Sequence, residues 1–339
     1  MSFKIALNFE DGVTQFIDCV PGETLADAAY RCGVMVPLDC REGVCGTCRA
    51  HCESGRYEMR PYVDEALSAQ EASEGYILTC QTLPSSDAVI QIPSSSLACN
   101  AADATVRQAR IAQLEPLSSS TFWLELEGAD IERLRFLPGQ YARLFIPGTD
   151  EHRAYSFSSL PRHGRVGFLI RNVPQGRMSR ALMGSARVGD ELRYQAAYGR
   201  FYLRDTGRPV LMIAGGTGLG PFLAMLEQML EAPPSVPVHL LYGVSRDEDL
   251  VCIDRLDRFK QQLPGFDYTT CVVDTATAGR LKGVVTDHLT PAHLHGGEVD
   301  VYLCGPPPMV AAVERFIETH GMKPAALHFE RFAAAEATA

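Results

Sequence analysis

Runs of apolar residues divide the chain of 339 residues into three stretches of different character. At the start, residues 3–9 (FKIALNF) and 13–18 (VTQFID) are strand-like runs around Asp11-Gly12, a hairpin signal. Thr24 precedes LADAAYRC with Asp27 three residues on, the pattern of a capping box opening a helix. A loop with three cysteines follows, and then two further strand-like runs, YILTCQ and AVIQIP. Around Pro93-Ser94-Ser95-Ser96 the pattern dissolves into a small polar stretch reaching about Ala104, which reads as a linker. A first domain is therefore expected over 1–98 and a linker over 99–104. From 105 to 205 the runs are short (TFWLELEG, YARLFIP, VGFLIRNV, ELRYQAAYG) and separated by Gly and Pro, which predicts an antiparallel barrel. From 206 to 339 the pattern changes again. VLMIAGG, VHLLYGV and VDVYLCG are continuous apolar strands, each followed by a helical stretch, which predicts a parallel sheet with helices on both faces.

Length supports that division, since one hydrophobic core does not usually grow to this size. The start, MSFKIALNFEDG, lacks the basic and apolar regions of a signal peptide, and no apolar run reaches 18 residues, so neither export nor a membrane span is expected. Eleven cysteines in such a chain point to thiolate ligands and small buried side chains rather than a disulfide framework, and to a cytoplasmic home. The net charge is −10, and residues 1–98 carry 6 Lys and Arg against 14 Asp and Glu, so most of the acidity lies in the first stretch. That sign disfavours nucleic acid. It suits either solubility or an acidic face that steers toward a basic partner.

The first candidate chemistry is Cys40, Cys45, Cys48 and Cys80, a C-x4-C-x2-C…C pattern within DCREGVCGTCRA. It resembles the loop with which plant-type ferredoxins hold a [2Fe–2S] cluster in a β-grasp fold. Gly43 and Gly46 stand where the backbone must wrap closely, and Arg41 and Thr47 are further donors. An all-thiolate zinc knot is the alternative. The x4 gap and the distant fourth cysteine fit the cluster loop better, and no histidine pair suggests a Rieske centre. Cys19, Cys32, Cys52 and Cys99 read as packing residues, and His51, His152 and His320 as surface or packing residues.

The second constellation is Arg153-Ala154-Tyr155-Ser156-Phe157-Ser158, soon after Pro138-Gly139-Gln140-Tyr141, with Val173-Pro174-Gln175-Gly176-Arg177-Met178-Ser179 about twenty residues on. These segments resemble the two flavin motifs of the ferredoxin–NADP⁺ reductase superfamily. Arginine suits bidentate bonds to phosphate oxygens, tyrosine stacks on an aromatic ring, and a serine hydroxyl can bond flavin N5. The resemblance implies FAD held by Arg153, Tyr155, Ser156, Phe157, Ser158, Val173, Gly176, Met178 and Ser179.

The third is Gly215-Gly216-Thr217-Gly218-Leu219-Gly220-Pro221, between a buried strand and a helix, where glycines let a pyrophosphate approach a helix N-terminus. Pro221 stands where a Rossmann dehydrogenase has its last glycine, but the segment matches the GGTGxxP of the same superfamily. Cys304-Gly305-Pro306-Pro307-Pro308-Met309 resembles its CGPxxM motif, which implies Cys304, Gly305 and Pro306 beside the nicotinamide. Glu330-Arg331-Phe332 resembles its terminal E-x-F, whose aromatic covers the flavin and moves aside for nicotinamide. Arg246 and Asp247 follow the strand VHLLYGV. An acid there favours the ribose of NADH and an arginine the 2′-phosphate of NADPH, and NADH is the expectation.

The order of modules, together with FEDGV, CESGRY, PSSDAVIQIP and FYLRD, resembles the reductase components of bacterial aromatic-ring-hydroxylating dioxygenases of the benzoate and toluate type, with anthranilate dioxygenase reductases as close relatives. The resemblance implies hydride transfer from NADH to FAD, with Ser156, Cys304 and Phe332 at the reacting centre. Single electrons then pass through the [2Fe–2S] cluster to the Rieske centre of a separate terminal oxygenase, in aromatic catabolism. A reductase of a di-iron phenol or methane-type monooxygenase shares the module order. A zinc-stabilised or redox-sensing binding protein is the alternative of a different class.

Overall fold

The computed structural model describes residues 2–38, 40–44, 46–64, 66–99, 105–204, 207–274, 276 and 280–332. The chain forms two compact units, one of residues 1–104 with 198–200, the other of 105–197 with 201–339.

In the first unit, β1 (Phe3–Phe9) and β2 (Thr14–Cys19) form the expected antiparallel hairpin, with Gly12 supplying a φ of 75° at the turn. β3 (Arg49–Ser54), β4 (Tyr57–Met59), β5 (Tyr76–Leu78), β6 (Thr82–Pro84) and β7 (Ala88–Ile92) follow. The main sheet runs β2-β1-β7-β3-β5, with β1 and β7 parallel, and β4 pairs with β6 apart from it. The apolar face of the sheet (Ile5, Leu7, Ile17, Ile77, Ile90) packs with Leu25, Ala28 and Ala29 of the helix Leu25–Arg31. That helix begins as predicted: the Asp27 amide donates to Thr24 Oγ1 at 3.2 Å. Asp27 does not reach back to the Thr24 backbone, however, and its carboxylate accepts the Thr24 hydroxyl instead, at 2.8 Å. Cys19 and Cys99 are buried as expected, whereas Cys32 is exposed at the end of the helix. Ser96–Cys99 form a helical turn tied to the unit, since Asp11 Oδ2 accepts bonds from Ser95 Oγ, Ser96 Oγ and the Ser96 amide.

The second unit opens with six antiparallel strands: β8 (Arg107–Pro116), β9 (Thr121–Glu127), β10 (Tyr141–Phe145), β11 (His152–Ser156), β12 (Arg165–Arg171) and β13 (Glu191–Tyr198). Their order is β11-β10-β13-β8-β9-β12, and a Phe157–Phe168 bridge joins the two ends into a barrel. Phe122, Leu124, Leu144, Phe157 and Phe168 fill it.

The rest is a parallel sheet: β14 (Val210–Gly215), β15 (Val238–Arg246), β16 (Phe266–Asp274), β17 (Leu281–Lys282), β18 (Asp300–Gly305) and β19 (Ala326–Arg331), in the order β17-β16-β15-β14-β18-β19. Helices Leu219–Glu231 and Ile253–Gln262 cover one face, and Val285–His288 and Pro307–His320 the other. The chain builds outward from β14 in one direction and then returns to β14 with β18. The β14–β18 boundary is therefore a topological switch point, where open α/β sheets bind ligands at their strand C-termini.

Candidate redox sites

The sulfur site of the first unit rests on backbone conformation. Arg41, Gly43 and Gly46 lie in the left-handed region, with φ of 63°, 73° and 67°. A Cβ on Gly43 would sit 2.9 Å from Tyr62 Cβ and 3.0 Å from Gln81 Cγ, so the loop wraps tightly enough to exclude a side chain. Gln81 Nε2 donates to the Arg41 carbonyl at 2.9 Å and lies 3.4 Å from Cys80 Sγ, tying the loop to the fourth cysteine. Cys48 and Cys80 are both buried and bring their sulfurs to 3.2 Å. That exceeds the ~2.05 Å of a disulfide and suits two thiolates converging on one metal. Cys40 is half-buried on the same loop, and Cys45 lies outside the described residues. The donor set, the tight wrap and the buried sulfur pair fit a [2Fe–2S] cluster.

In the second unit the flavin-type segments lie at one edge of the barrel. Arg153 and Tyr155 are on β11, and both remain half-buried. Burial pushes the Tyr155 phenol up, with Arg153 acting the other way, so the ring carries no charge at neutral pH. His152 is pushed down by burial and by Arg143 and Arg153, which marks an electropositive strip on β10 and β11. Ser179 Oγ accepts from the Val173 amide at 2.9 Å and the Gly176 amide donates to the Val173 carbonyl, fixing the turn before the helical residues Arg177–Arg180. The positive strip and this turn fit a pyrophosphate and its attached ring. The side chains of Phe157 and Met178 belong to the barrel core, where Phe157 stacks on Phe136 at 3.9 Å.

The two glycine-rich segments end β14 and β18 at the switch point. A Cβ on Gly218 would lie 2.2 Å from the Cys304 carbonyl oxygen, and one on Gly215 2.5 Å from Met309 Sδ, so the GGTG turn lies flat on CGPPPM. Above Gly216, whose φ is 55°, a Cβ would meet nothing within 4 Å, leaving its open face for a ligand. Thr217 is half-buried on the same turn and Pro306 beyond it, in the loop after Gly305. Pro221 falls in the first turn of the helix Leu219–Glu231, where no amide donor is needed, which is why proline serves in place of glycine.

Both motif sets converge at one point. Ser156 Oγ donates to Glu330 Oε2 at 3.2 Å, and Glu330 on β19 is the register partner of Cys304 on β18. Burial raises the Glu330 carboxyl to about 7, although the Ser156 hydroxyl pulls it down. Part of its surface stays open, so the group is enclosed by neighbouring atoms yet reachable. The Cys304 thiol is pushed well above its ordinary value by burial and by the nearby Glu330, and stays neutral. Phe332 continues from β19, its amide donating to the Gly305 carbonyl at 2.9 Å and its ring half-buried on the core. This gives a hydroxyl, a neutral thiol, an aromatic ring and a carboxyl able to hold or release a proton near pH 7. The sequence marks Glu330 only as the first residue of its E-x-F motif. The signal was the acid at a strand end two residues before Phe332.

Asp247 stands beyond β15 as expected, but its oxygens already accept from the Ala276 amide at 3.0 Å and Arg280 Nε at 3.1 Å. Arg246 pairs with Glu248 and Asp249.

Three family models match the chain in order: a 2Fe-2S iron-sulfur cluster binding domain over 8–85, an oxidoreductase FAD-binding domain over 108–202 and an oxidoreductase NAD-binding domain over 212–315. The toluate 1,2-dioxygenase electron transfer component of Pseudomonas putida is 50% identical over 98% of this chain and 99% of its own length. The anthranilate 1,2-dioxygenase electron transfer component of Acinetobacter baylyi is 41% identical, covering 98% of both. Among solved structures, the Amycolatopsis cytochrome P450 reductase matches with a TM-score of 0.68 and 29% identity, over 97% of this chain and 99% of that one. Among the described residues no helix is long and apolar enough to cross a membrane.

Proposed function

The chain belongs to the family of iron–sulfur flavoprotein electron transfer components of aromatic-ring 1,2-dioxygenases, and on that premise we propose that it carries electrons from NADH, through FAD and a [2Fe–2S] cluster, to the Rieske centre of a separate terminal oxygenase acting on an aromatic carboxylate in the cytoplasm. The observation that carries the reading is the bond between Ser156 of the flavin-type motif and Glu330, register partner of Cys304 of the nucleotide-type motif. One point of the molecule thus serves both ligands.

When bound, FAD supplies acceptance of a hydride as an electron pair and release of that pair singly, and the cluster supplies one-electron transfer. The chain's own residues orient and insulate. Arg153 and the Val173–Ser179 turn would hold the pyrophosphate, and Tyr155 would meet the ring system. Gly215–Gly218 admit the nucleotide's phosphates, with Cys304, Gly305 and Pro306 walling its nicotinamide end. Phe332 would cover the flavin ring. Glu330 and Ser156 hold a proton beside the reacting atoms. Cys40, Cys45, Cys48 and Cys80 hold the cluster, and the acidity of residues 1–98 steers that unit to a basic face on the oxygenase. The NADH preference places Asp247 toward the adenosine ribose, and a higher kcat/KM with NADPH than with NADH would reject it.

The test of the relay is Cys80→Ser with flavin retained. NADH should still bleach the flavin absorbance while oxygenase turnover falls to background, and undiminished turnover would reject the relay. Iron and zinc analysis of the purified protein separates the cluster from a zinc knot.

A further inference from the structure

We propose that Glu227, Arg255 and Trp123 form a clamp that sets the angle between the flavin-binding barrel and the nucleotide-binding sheet, making them positioning residues for hydride transfer. The proposal rests on the functional reading above.

Among the described residues, two ion pairs involve the helix Leu219–Glu231 on its barrel side. Arg162–Glu231, at 2.9 Å, has both side chains about half exposed (54% and 51%), a surface pair of small worth. Arg255–Glu227, at 2.8 Å, is 22% and 17% exposed, and each partner also reaches into the barrel. Glu227 Oε2 accepts from the Leu160 amide at 2.8 Å. Arg255 Nη2 approaches the Ser158 carbonyl at 3.5 Å, and its guanidinium carbon lies 4.6 Å from the centre of the Trp123 ring, a cation–π contact. Trp123 itself has no slack, since a Cβ on Gly167 would stand 2.0 Å from the indole Cζ2.

The gripped residues are the ones that position the chemistry. Ser158 and Leu160 lie two and four residues after Ser156, and Ser158 Oγ donates to the Ser156 carbonyl at 3.2 Å. A Cβ on Gly220 would lie 2.7 Å from that same Ser158 Oγ, so the nucleotide-binding turn abuts the flavin segment. Glu227 is on the helix that starts at that turn. Nine residues of helix from Gly218 to Glu227 make a lever of roughly 13 Å. A tilt of about 5° at the clamp therefore moves the turn by roughly 1 Å, a displacement that can cost up to about a hundredfold in rate. A guanidinium is needed because one planar fork must serve a carboxylate, a carbonyl and an indole face together.

The experiment uses the flavin-loaded, full-length protein. Arg255→Met, Arg255→Lys, Glu227→Gln and the control Arg162→Met are reduced anaerobically with NADH and with 4-deuterated NADH in a stopped-flow instrument. Arg255→Met and Glu227→Gln should lower the limiting rate of flavin reduction about tenfold, with flavin content and the NADH Kd within about twofold of wild type. Arg255→Lys should fall between, and Arg162→Met should match wild type. Trp123 is the chain's one tryptophan, so its emission and acrylamide quenching report the clamp without turnover, and both should change in Arg255→Met. An unchanged limiting rate and isotope effect in a folded Arg255→Met or Glu227→Gln protein, even with a lowered Tm, would overturn the proposal. If Arg255→Met does not fold, Glu227→Gln decides alone. Wild-type protein that neither NADH nor NADPH reduces would instead refute the functional reading.

Discussion

In the first unit, the sulfurs of Cys48 and Cys80 meet because a short loop is locked by three left-handed residues and one glutamine. In the second, Ser156 and Glu330 meet from positions 174 residues apart, and only after a barrel and a parallel sheet have both formed. The first site is held by the backbone of one loop pinned by Gln81, and a side chain at Gly43 would overlap Tyr62. The second is held by tertiary packing, and its chemistry depends on what that packing does to a carboxyl. A site fixed locally should fail abruptly and alone, whereas a site fixed by assembly should fail by degrees and in a pH-dependent way.

The largest effect expected from that contrast is at Gly43. Gly43→Val combines a left-handed backbone, which costs about 1–2 kcal/mol for a residue with a Cβ, with overlap against Tyr62 and Gln81. The protein should lose the visible absorbance of the cluster completely while retaining FAD and nucleotide-dependent flavin reduction. Loss of both cofactors together would mean that the two sites are not independently built.

The same contrast explains what could be read from sequence. The cysteine spacing, the GGTGLGP turn and the CGPPPM loop were legible because metal and phosphate chemistry impose spacing on neighbouring residues. The strand types were legible from apolar runs. The environment of Glu330 was not, because its shifted carboxyl arises from burial beneath segments remote in sequence. The contact of Asp247 with Arg280, beyond β16, was not legible either, because the two lie 33 residues apart. Ser96–Cys99 looked like the start of a linker because their anchor, Asp11, lies 85 residues before Ser96. Cys32 was expected to pack, but it follows the last helical turn and faces solvent.

Two carboxyls sharpen the comparison through pH. Glu330 has its pKa raised to about 7 from 4.5, so below pH 4.5 folded and unfolded chains both keep the proton and burial carries no charge penalty. Between pH 4.5 and 7 only the folded state keeps it. Stability therefore falls as pH rises through this window, by at most about tenfold in the unfolding equilibrium per pH unit. Wild type should lose Tm relative to Glu330→Gln between pH 5 and 8. Asp11, in the first unit, has the opposite sign. Burial alone would raise it, but bonds from Ser96 and Ser95 outweigh burial and hold it below 3.8. Its stabilisation is complete above that value and disappears as the pH falls through the lowered one, so Asp11→Asn should matter at neutral pH and lose its effect in acid. Thermal melts across pH check both signs, and the same slope for the two variants would contradict them.

Ser158 joins the flavin segment to the rest of its unit. Its hydroxyl donates to the Ser156 carbonyl and accepts from the Leu169 amide at 3.0 Å, with no exposed surface. Ser158→Ala strands a buried amide, which costs about 1–3 kcal/mol. Because the carbonyl it releases belongs to Ser156, flavin reduction should slow along with the loss of stability. Denaturant melts and stopped-flow reduction on one preparation test whether the two move together. The cluster absorbance should stay intact.

The smallest effect expected is at Thr24. Its hydroxyl oxygen accepts from the Asp27 amide at the start of the helix Leu25–Arg31, and it is 2% exposed. Replacing an N-cap threonine by alanine costs about 1 kcal/mol. Here the Asp27 carboxylate also loses the partner it holds at 2.8 Å, although Arg41 remains at 3.2 Å to share its charge. That second contact matters, because Arg41 is one of the three left-handed residues of the cluster loop and its ring contact with Tyr30 lies on the same helix. Thr24→Ala should therefore lower the melting temperature of the first unit by a few degrees and leave flavin reduction untouched. It should also raise the rate at which a chelator strips iron, since fraying of the helix start loosens the Asp27 anchor of Arg41. Unchanged iron loss beside a lowered Tm would show that the loop is held by its own backbone and by Gln81, without help from the helix.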